Sequence, residues 1–217
     1  MARLPVAVLI SGRGSNMAAL VAAAAEPAFP AEIVAVIANR PDAAGLATAA
    51  GAGIPTAVVD HKRFAGKPAF EAALSDEIAR HGAALICLAG FMRIVSADFV
   101  ARWRGQVLNI HPSLLPSFPG LDTHARALAA GVRLHGCTVH FVDAEVDAGP
   151  IVAQAAVPVL PGDDAETLAA RVLAAEHRLY PRALALVASG KVRREGDRAV
   201  ISSDAGAAAT AMLMAPS

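Results

Sequence analysis

The stretch Val6-Ala7-Val8-Leu9-Ile10-Ser11-Gly12-Arg13-Gly14-Ser15-Asn16 settles the class of fold. Five apolar residues run into a glycine-rich turn, and an alanine-rich stretch follows from Asn16 to Ala25. A short, continuously apolar run reads as a strand with both faces covered. A helix directly behind the turn makes this the first half of a βα unit, and the pattern repeats. Strands are expected at Val6–Ile10, Ile33–Ala38, Thr56–Val59, Ala84–Leu88 and Gln106–Ile110. Helices are expected near Asn16–Ala25, Ala43–Ala50, Lys67–Arg80 and Ala97–Arg102. The alternation predicts an α/β fold: a Rossmann-like, mostly parallel sheet with helices on both faces and right-handed crossovers.

After His111 the pattern changes. Strand-like runs at Cys137–Val142 and Ile151–Val157 flank the acidic segment Asp143–Pro150, so the sheet is expected to become mixed toward the C-terminal half. Asp163 reads as a helix N-cap with Glu166 reaching back to it. That helix should run from about Ala165 to the Tyr180-Pro181 region, then as a kinked or second segment to Ala188, where Gly190 stops it. Val192–Glu195 and Arg198–Ile201, around Gly196-Asp197, suggest a hairpin. The tail from Asp204 reads as a loosely held end. Residues 1–190 are expected to form one domain, with 191–217 as its hairpin and tail.

At 217 residues the chain is long enough for a full core, and no linker divides it. It is 55% apolar but only 4% aromatic, which suits closely packed, alanine-rich helices. The formal net charge is zero, so a long nucleic-acid partner is not expected. Cys87 and Cys137 lie in apolar strands without CxxC spacing and read as buried, reduced thiols. The run Leu4–Ile10 is short and is broken by Arg13 and Asn16, so it does not read as a signal peptide. No uncharged apolar run is long enough to span a bilayer. The expected location is the cytoplasm, as a monomer or homodimer.

Four places can carry chemistry. In Ser11–Asn16, glycines let the backbone approach a ligand, and a helix N-terminus offers free N–H groups to an anion. The alternative is a tight strand-to-helix turn that needs glycine for its own sake. A dinucleotide fingerprint fits worse, because Met17 stands where its third glycine would be and Asn39 follows the second strand. The second place is Asn109-Ile110-His111-Pro112-Ser113-Leu114-Leu115-Pro116. Residues 109 and 111 point to one side of a strand, and Pro112 restricts His111 to extended geometry. Ligands in open α/β sheets bind outside the carboxyl ends of strands. The third is Asp143–Pro150, where Gly149-Pro150 turns the chain just beyond Asp147 while Asp143 and Glu145 read as a solvated loop. A carboxylate beside a His favours its charged form, as a general acid or oxyanion partner needs. The fourth is Glu176, bordering the stripe Leu168, Val172, Ala175 and Leu179, either snorkelling at the rim or binding a hydroxylated ligand. His140 reads as support behind Asp147. None of the histidines has metal-ligand spacing, and no metal is expected.

At these residues the chain resembles the phosphoribosylglycinamide formyltransferases of purine biosynthesis. The resemblance rests on Val8–Asn16, Leu88–Ile94, Asn109–Pro116, His140–Val142, Asp147–Pro150 and Ala175–Pro181. It implies transfer of the formyl group of 10-formyltetrahydrofolate to the amine of glycinamide ribonucleotide. It implies Asn109, His111 and Asp147 as the catalytic trio. Gly14, Ser15 and Asn16 would hold the phosphate, and Glu176 the ribose hydroxyls. Lys67, Met92, Arg93, Ile94, Val95 and Asn109 would meet the folate. Some members carry Arg where Lys67 stands; Lys keeps the charge but not the bidentate fork. Methionyl-tRNA formyltransferase and formyltetrahydrofolate deformylase share the Asn-x-His…Asp pattern. They differ by an added C-terminal RNA-binding domain and an added N-terminal regulatory domain, neither of which is expected here.

Overall fold

Five strands build the first half of the chain: β1 (Leu4–Ile10), β2 (Ala31–Ala38), β3 (Thr56–Val58), β4 (Leu85–Leu88) and β5 (Val107–His111). The computed structural model describes residues 2–205 and 210–213. They fall into two compact units, Met1–Asn109 and Ile110–Ser217, with β5 running from one into the other. In the first unit the strands lie in the order β5-β4-β1-β2-β3, all parallel. Val6 pairs with Ile33 on one side and Leu85 on the other, and Leu88 pairs with Asn109. Val6 to Ile10 are each 0% exposed, so both alternating sets of side chains are covered, as the unbroken apolar run predicts.

Helices α1 (Ser15–Ala24), α2 (Gly45–Gly51), α3 (Lys67–Arg80) and α4 (Ala97–Arg102) join these strands. The last two have the bounds that the periodicity predicts. On α3, Phe70, Leu74 and Ile78 are buried at four-residue spacing. Glu71 is buried beside them and accepts hydrogen bonds from the Ser96 N–H (2.8 Å) and the Ser96 hydroxyl, which ties α3 to the N-cap of α4. β1 has β2 on one flank and β4 on the other. Strand order therefore reverses at the carboxyl end of β1, where open α/β sheets hold their ligands.

In the second unit α5 (Thr123–Ala129) precedes β6 (Leu134–Phe141) and β7 (Ile151–Pro158), an antiparallel pair. The sheet is thus mixed toward the C-terminal half. The β6–β7 register shifts between Val139 and His140, a bulge that re-aims the side chains just before the acidic loop. Helix α6 (Ala165–Ala188) packs on both strands and buries Leu168, Val172, Ala175 and Leu179 completely.

Three expectations need correction. The N-cap of α6 is Asp164, not Asp163. Asp164 accepts from the Thr167 N–H (2.8 Å) while the Thr167 hydroxyl faces the Asp164 N–H (3.0 Å). Asp163 instead takes a fork from Arg171 at 2.7 and 2.9 Å, which holds its carboxyl well below the usual range. Secondly, α6 runs through Pro181 as one helix. The ring denies a hydrogen bond to the His177 carbonyl, but Tyr180, Ala183 and Leu184 are fully buried around it and keep the segment helical. Thirdly, the tail is not simply loose. After the hairpin of β8 (Val192–Glu195) and β9 (Arg198–Ile201), β10 (Ala211–Leu213) pairs parallel with β7, Ala211 opposite Gln154. It covers an edge that would otherwise present unpaired backbone groups. Residues 206–209 and 214–217 of that tail lie outside the described residues. Both cysteines are buried and in no disulfide, and burial, with the Glu176 charge adding to it, pushes the Cys137 thiol up.

Candidate active site

In the first unit the turn after β1 opens a cavity of about 410 Å³ lined by Gly12, Gly14, Ser15, Asn16, Asn39 and Met92, among others. Gly14 is the N-cap of α1 with φ 73°, a conformation that other residues resist. A Cβ there would also come within 3.1 Å of the Gly45 Cα. Glycine at 14 is therefore required by the turn itself. Glycine at 12 is not: a Cβ would meet nothing within 4 Å, so its small size leaves the backbone open to the cavity. The Ser15 and Asn16 N–H groups head α1, and nothing within the helix can accept from its first turn. The tight-turn reading thus accounts for Gly14 but not for Gly12.

The Ser11 hydroxyl accepts from the Met92 N–H at 2.8 Å, and the Ser11 N–H donates to the Gly90 carbonyl at 3.1 Å. These bonds fix the segment after β4 beside the turn after β1. Met92 and Arg93 line the cavity, Met92 at 76% exposure, and the Arg93 guanidinium lies over the Phe70 ring. Ile94 is exposed and Val95 buried. Lys67 lines a different, smaller cavity together with Glu71, Ser96 and Arg102. The structure does not bring it to the first one.

In the second unit His111 closes β5 and is buried. Asn109, two residues earlier on the same strand, leaves the backbone on the same side. The His111 ring has an acceptor at each nitrogen: the Phe118 carbonyl 3.0 Å from Nε2 and Asp147 Oδ2 3.4 Å from Nδ1. A carbonyl oxygen only accepts, so Nε2 meets the Phe118 carbonyl with its hydrogen while Nδ1 faces the Asp147 charge. Asp147 sits at φ 57° and its side chain is 10% exposed. Its Oδ2 also accepts from the Gly120 N–H at 2.9 Å, while Oδ1 lies 3.9 Å from His140 Nε2. His140 Nδ1 faces the Phe141 carbonyl at 3.0 Å, and burial pushes its pKa down. His140 is therefore a neutral, buried neighbour with its Nε2 lone pair turned to Asp147.

The segment from Pro112 to Asp122 is held by side chains of the β6–β7 pair. The Thr138 hydroxyl donates to the Ser113 carbonyl (2.7 Å) and accepts from the Leu115 N–H (3.0 Å). Gln154 Nε2 donates to the Leu115 carbonyl (2.9 Å) and to Thr138 (3.0 Å). Arg126 on α5 donates to the Pro119 and Leu121 carbonyls. Glu176 is not at a solvated rim: it is 6% exposed on the buried side of α6, close enough to Cys137 for its charge to be felt there. Among the described residues no group of three or more His, Cys, Asp or Glu is arranged to hold a metal ion. Among them, too, no helix is long and apolar enough to cross a membrane.

Residues 4–184 match the family model described as formyl transferase. The chain belongs to that family. It is 43% identical over 188 residues to phosphoribosylglycinamide formyltransferase of Escherichia coli (strain K12), covering 87% of this chain and 89% of that protein. It is 54% identical over 191 residues to trifunctional purine biosynthetic protein adenosine-3 of Gallus gallus, 88% of this chain but 19% of that protein. The chain thus spans about a fifth of the length of such trifunctional relatives. A crystal structure of phosphoribosylglycinamide formyltransferase from Brucella melitensis is 59% identical, with a TM-score of 0.84, covering 87% of this chain and 97% of that one.

The matched formyl transferase stretch includes the turn at 11–16, β5 and Asp147, but ends before β8. Sequence reasoning missed Thr138, Gln154 and Arg194. A buried threonine opposite a glutamine across the β6–β7 register is the signal that would have found the first two. Arg194 has no local signal, because its partners are Val142 and Asp143, some fifty residues earlier.

Proposed function

We propose that the chain transfers the formyl group of 10-formyltetrahydrofolate to the amine of glycinamide ribonucleotide, giving the formylated ribonucleotide and tetrahydrofolate. The observation that carries this reading is the Asp147 carboxylate, 10% exposed, beside the His111 ring at the end of a strand that also carries Asn109. Formyl transferase membership and the likeness to the Escherichia coli enzyme over 87% of this chain support this choice of substrates.

The neutral amine attacks the formyl carbon and a C–N bond forms. The carbonyl oxygen takes the displaced electron pair. Asn109 and protonated His111 donate hydrogen bonds to that oxyanion, and such donors gain strength in a site closed to water. Asp147 faces His111 Nδ1 and helps relay the proton from the attacking nitrogen to the folate nitrogen. The tetrahedral intermediate then collapses, the bond to that nitrogen breaks, and tetrahydrofolate leaves. His140, buried and neutral, backs Asp147. Gly14, Ser15 and Asn16 take the phosphate, since the N-terminus of a helix suits an anion, and Glu176 takes the ribose hydroxyls. Met92, Arg93, Ile94 and Val95 meet the folate, along with Asn109. Lys67 lines another cavity and would have to swing toward the folate to add its charge. The Phe118 carbonyl occupies His111 Nε2 in this state, so substrate must displace it before that nitrogen can reach the oxyanion.

The variant His111→Ala tests the reading. Its turnover should fall ~10²–10³-fold while the ribonucleotide still binds by calorimetry. Turnover equal to wild type would refute the mechanism.

A further inference from the structure

The hairpin β8–β9 lies beyond the matched family stretch, and nothing in the formyl-transfer reading uses it. Yet the Arg194 side chain on β8 is only 4% exposed. A guanidinium taken out of water must have its donors met. Here Nε donates to the Gly196 carbonyl at 2.8 Å, Nη1 to the Val142 carbonyl at 3.1 Å, and Nη2 to the Asp143 carboxylate. Asp197 adds a longer, exposed contact at 3.8 Å. The other oxygen of Asp143 accepts from the Ala144 N–H at 2.8 Å. One buried cation therefore joins the hairpin turn to the point where the chain leaves β6.

That point is the first stem of the loop carrying Asp147. The second stem is fixed differently: the Phe141 N–H donates to the Pro150 carbonyl at 2.9 Å. The chain there runs so close that a Cβ on Gly149 would lie 1.8 Å from the Phe141 oxygen. Between the stems the backbone must reach φ 57° at Asp147 and set its carboxylate 3.4 Å from His111. Asp143, expected to be a solvated loop residue, is instead the anchor on which Arg194 acts.

We propose that Arg194, through Asp143 and the Val142 carbonyl, is a positioning residue that sets the Asp147 loop for formyl transfer. It touches no reacting atom; it acts through Asp147, and so this inference rests on the role given to Asp147 above.

A double-mutant cycle in the full chain tests it. Formyl-transfer kinetics are measured for wild type, Arg194→Met, Asp147→Asn and the double variant. A misplacement of about 1 Å away from the chemistry can cost up to ~100-fold, so Arg194→Met should lower kcat ~10–100-fold. KM for both substrates should stay within ~3-fold, because uniform binding is untouched. In the Asp147→Asn background the same change should cost less than ~2-fold, since residues acting as one unit are not additive. Arg194→Lys should recover part of kcat by restoring the ion pair. Should Arg194→Met fail to fold, Asp143→Asn, which keeps the bond to the Ala144 N–H, carries the same cycle. An equal loss in both backgrounds, or full kcat in Arg194→Met beside an impaired Asp147→Asn, overturns the positioning role alone. An Asp147→Asn variant as active as wild type overturns the reading beneath it, and the positioning role with it.

Discussion

Replacing Asp147 by Asn should leave the fold intact and remove most of the turnover. Shape is conserved, and the hydrogen bonds can be conserved as well. The amide oxygen takes the place of Oδ2 and still accepts from the Gly120 N–H, now 2.9 Å away. The amide NH₂ takes the place of Oδ1, 3.9 Å from the His140 Nε2 lone pair, and can turn toward it. Asn also tolerates the positive φ of 57° at this position. The stability cost should therefore stay under ~1 kcal/mol, a melting shift of about 2–4 °C at most. What disappears is the charge facing His111 Nδ1 at 3.4 Å. At an effective dielectric near 20 that attraction is roughly 5 kcal/mol before desolvation is subtracted. Hydrogen bonds to charged groups retain about 1.5–3 kcal/mol net. A loss of ~2–4 kcal/mol from the transition state corresponds to a ~30- to 1000-fold fall in kcat. Steady-state kinetics beside a thermal melt give both numbers. Turnover within ~3-fold of wild type, or a fall in activity matched by loss of the fold, would refute the reasoning.

Two further outcomes are expected. Thr138→Val should leave the buried Leu115 N–H and Ser113 carbonyl without their partner, costing ~2–4 kcal/mol and lowering the melting temperature by about 5–12 °C; an unchanged melt would contradict the anchoring role. Stability should also fall on acidification. His135 is pushed down to about 4 by burial first and by the nearby His124 second, and His124 is itself lowered by burial. Both folded values lie below the unfolded one of ~6.5, so the unfolded chain binds protons first. Stability present above pH ~6.5 is lost as pH falls toward about 4. Urea midpoints across that range would show the slope, reduced in His135→Gln; a flat wild-type profile between pH 7 and 5 would exclude it.

The parallel half of the fold was legible because its signals are local. The apolar runs of β1 and β2 and the spacing of Phe70, Leu74 and Ile78 need no distant partner to be read. Asn109, His111 and Asp147 were legible for a related reason: a strand end held by Pro112, and a turn forced by Gly149-Pro150. Errors fell where two local solutions compete. Asp163 and Asp164 are both competent caps, and the choice depends on Arg171, about two turns of helix away. Helix α5 was missed because its N-cap, Asp122, lies in the left-handed region and makes no capping side-chain bond. Strand β10 and the link from Arg194 to Asp143 depend on partners about fifty residues away in sequence. No periodicity records such a contact, and a buried guanidinium looks on paper like any surface arginine.

Product analysis tests the central claim most directly. The chain is incubated with 10-formyltetrahydrofolate, with and without glycinamide ribonucleotide, and the folate and one-carbon products are followed by mass spectrometry. The account predicts one formylated ribonucleotide for each tetrahydrofolate released, and almost no tetrahydrofolate when the ribonucleotide is omitted. Release of tetrahydrofolate and formate at the same rate without the ribonucleotide would show a hydrolase and contradict it.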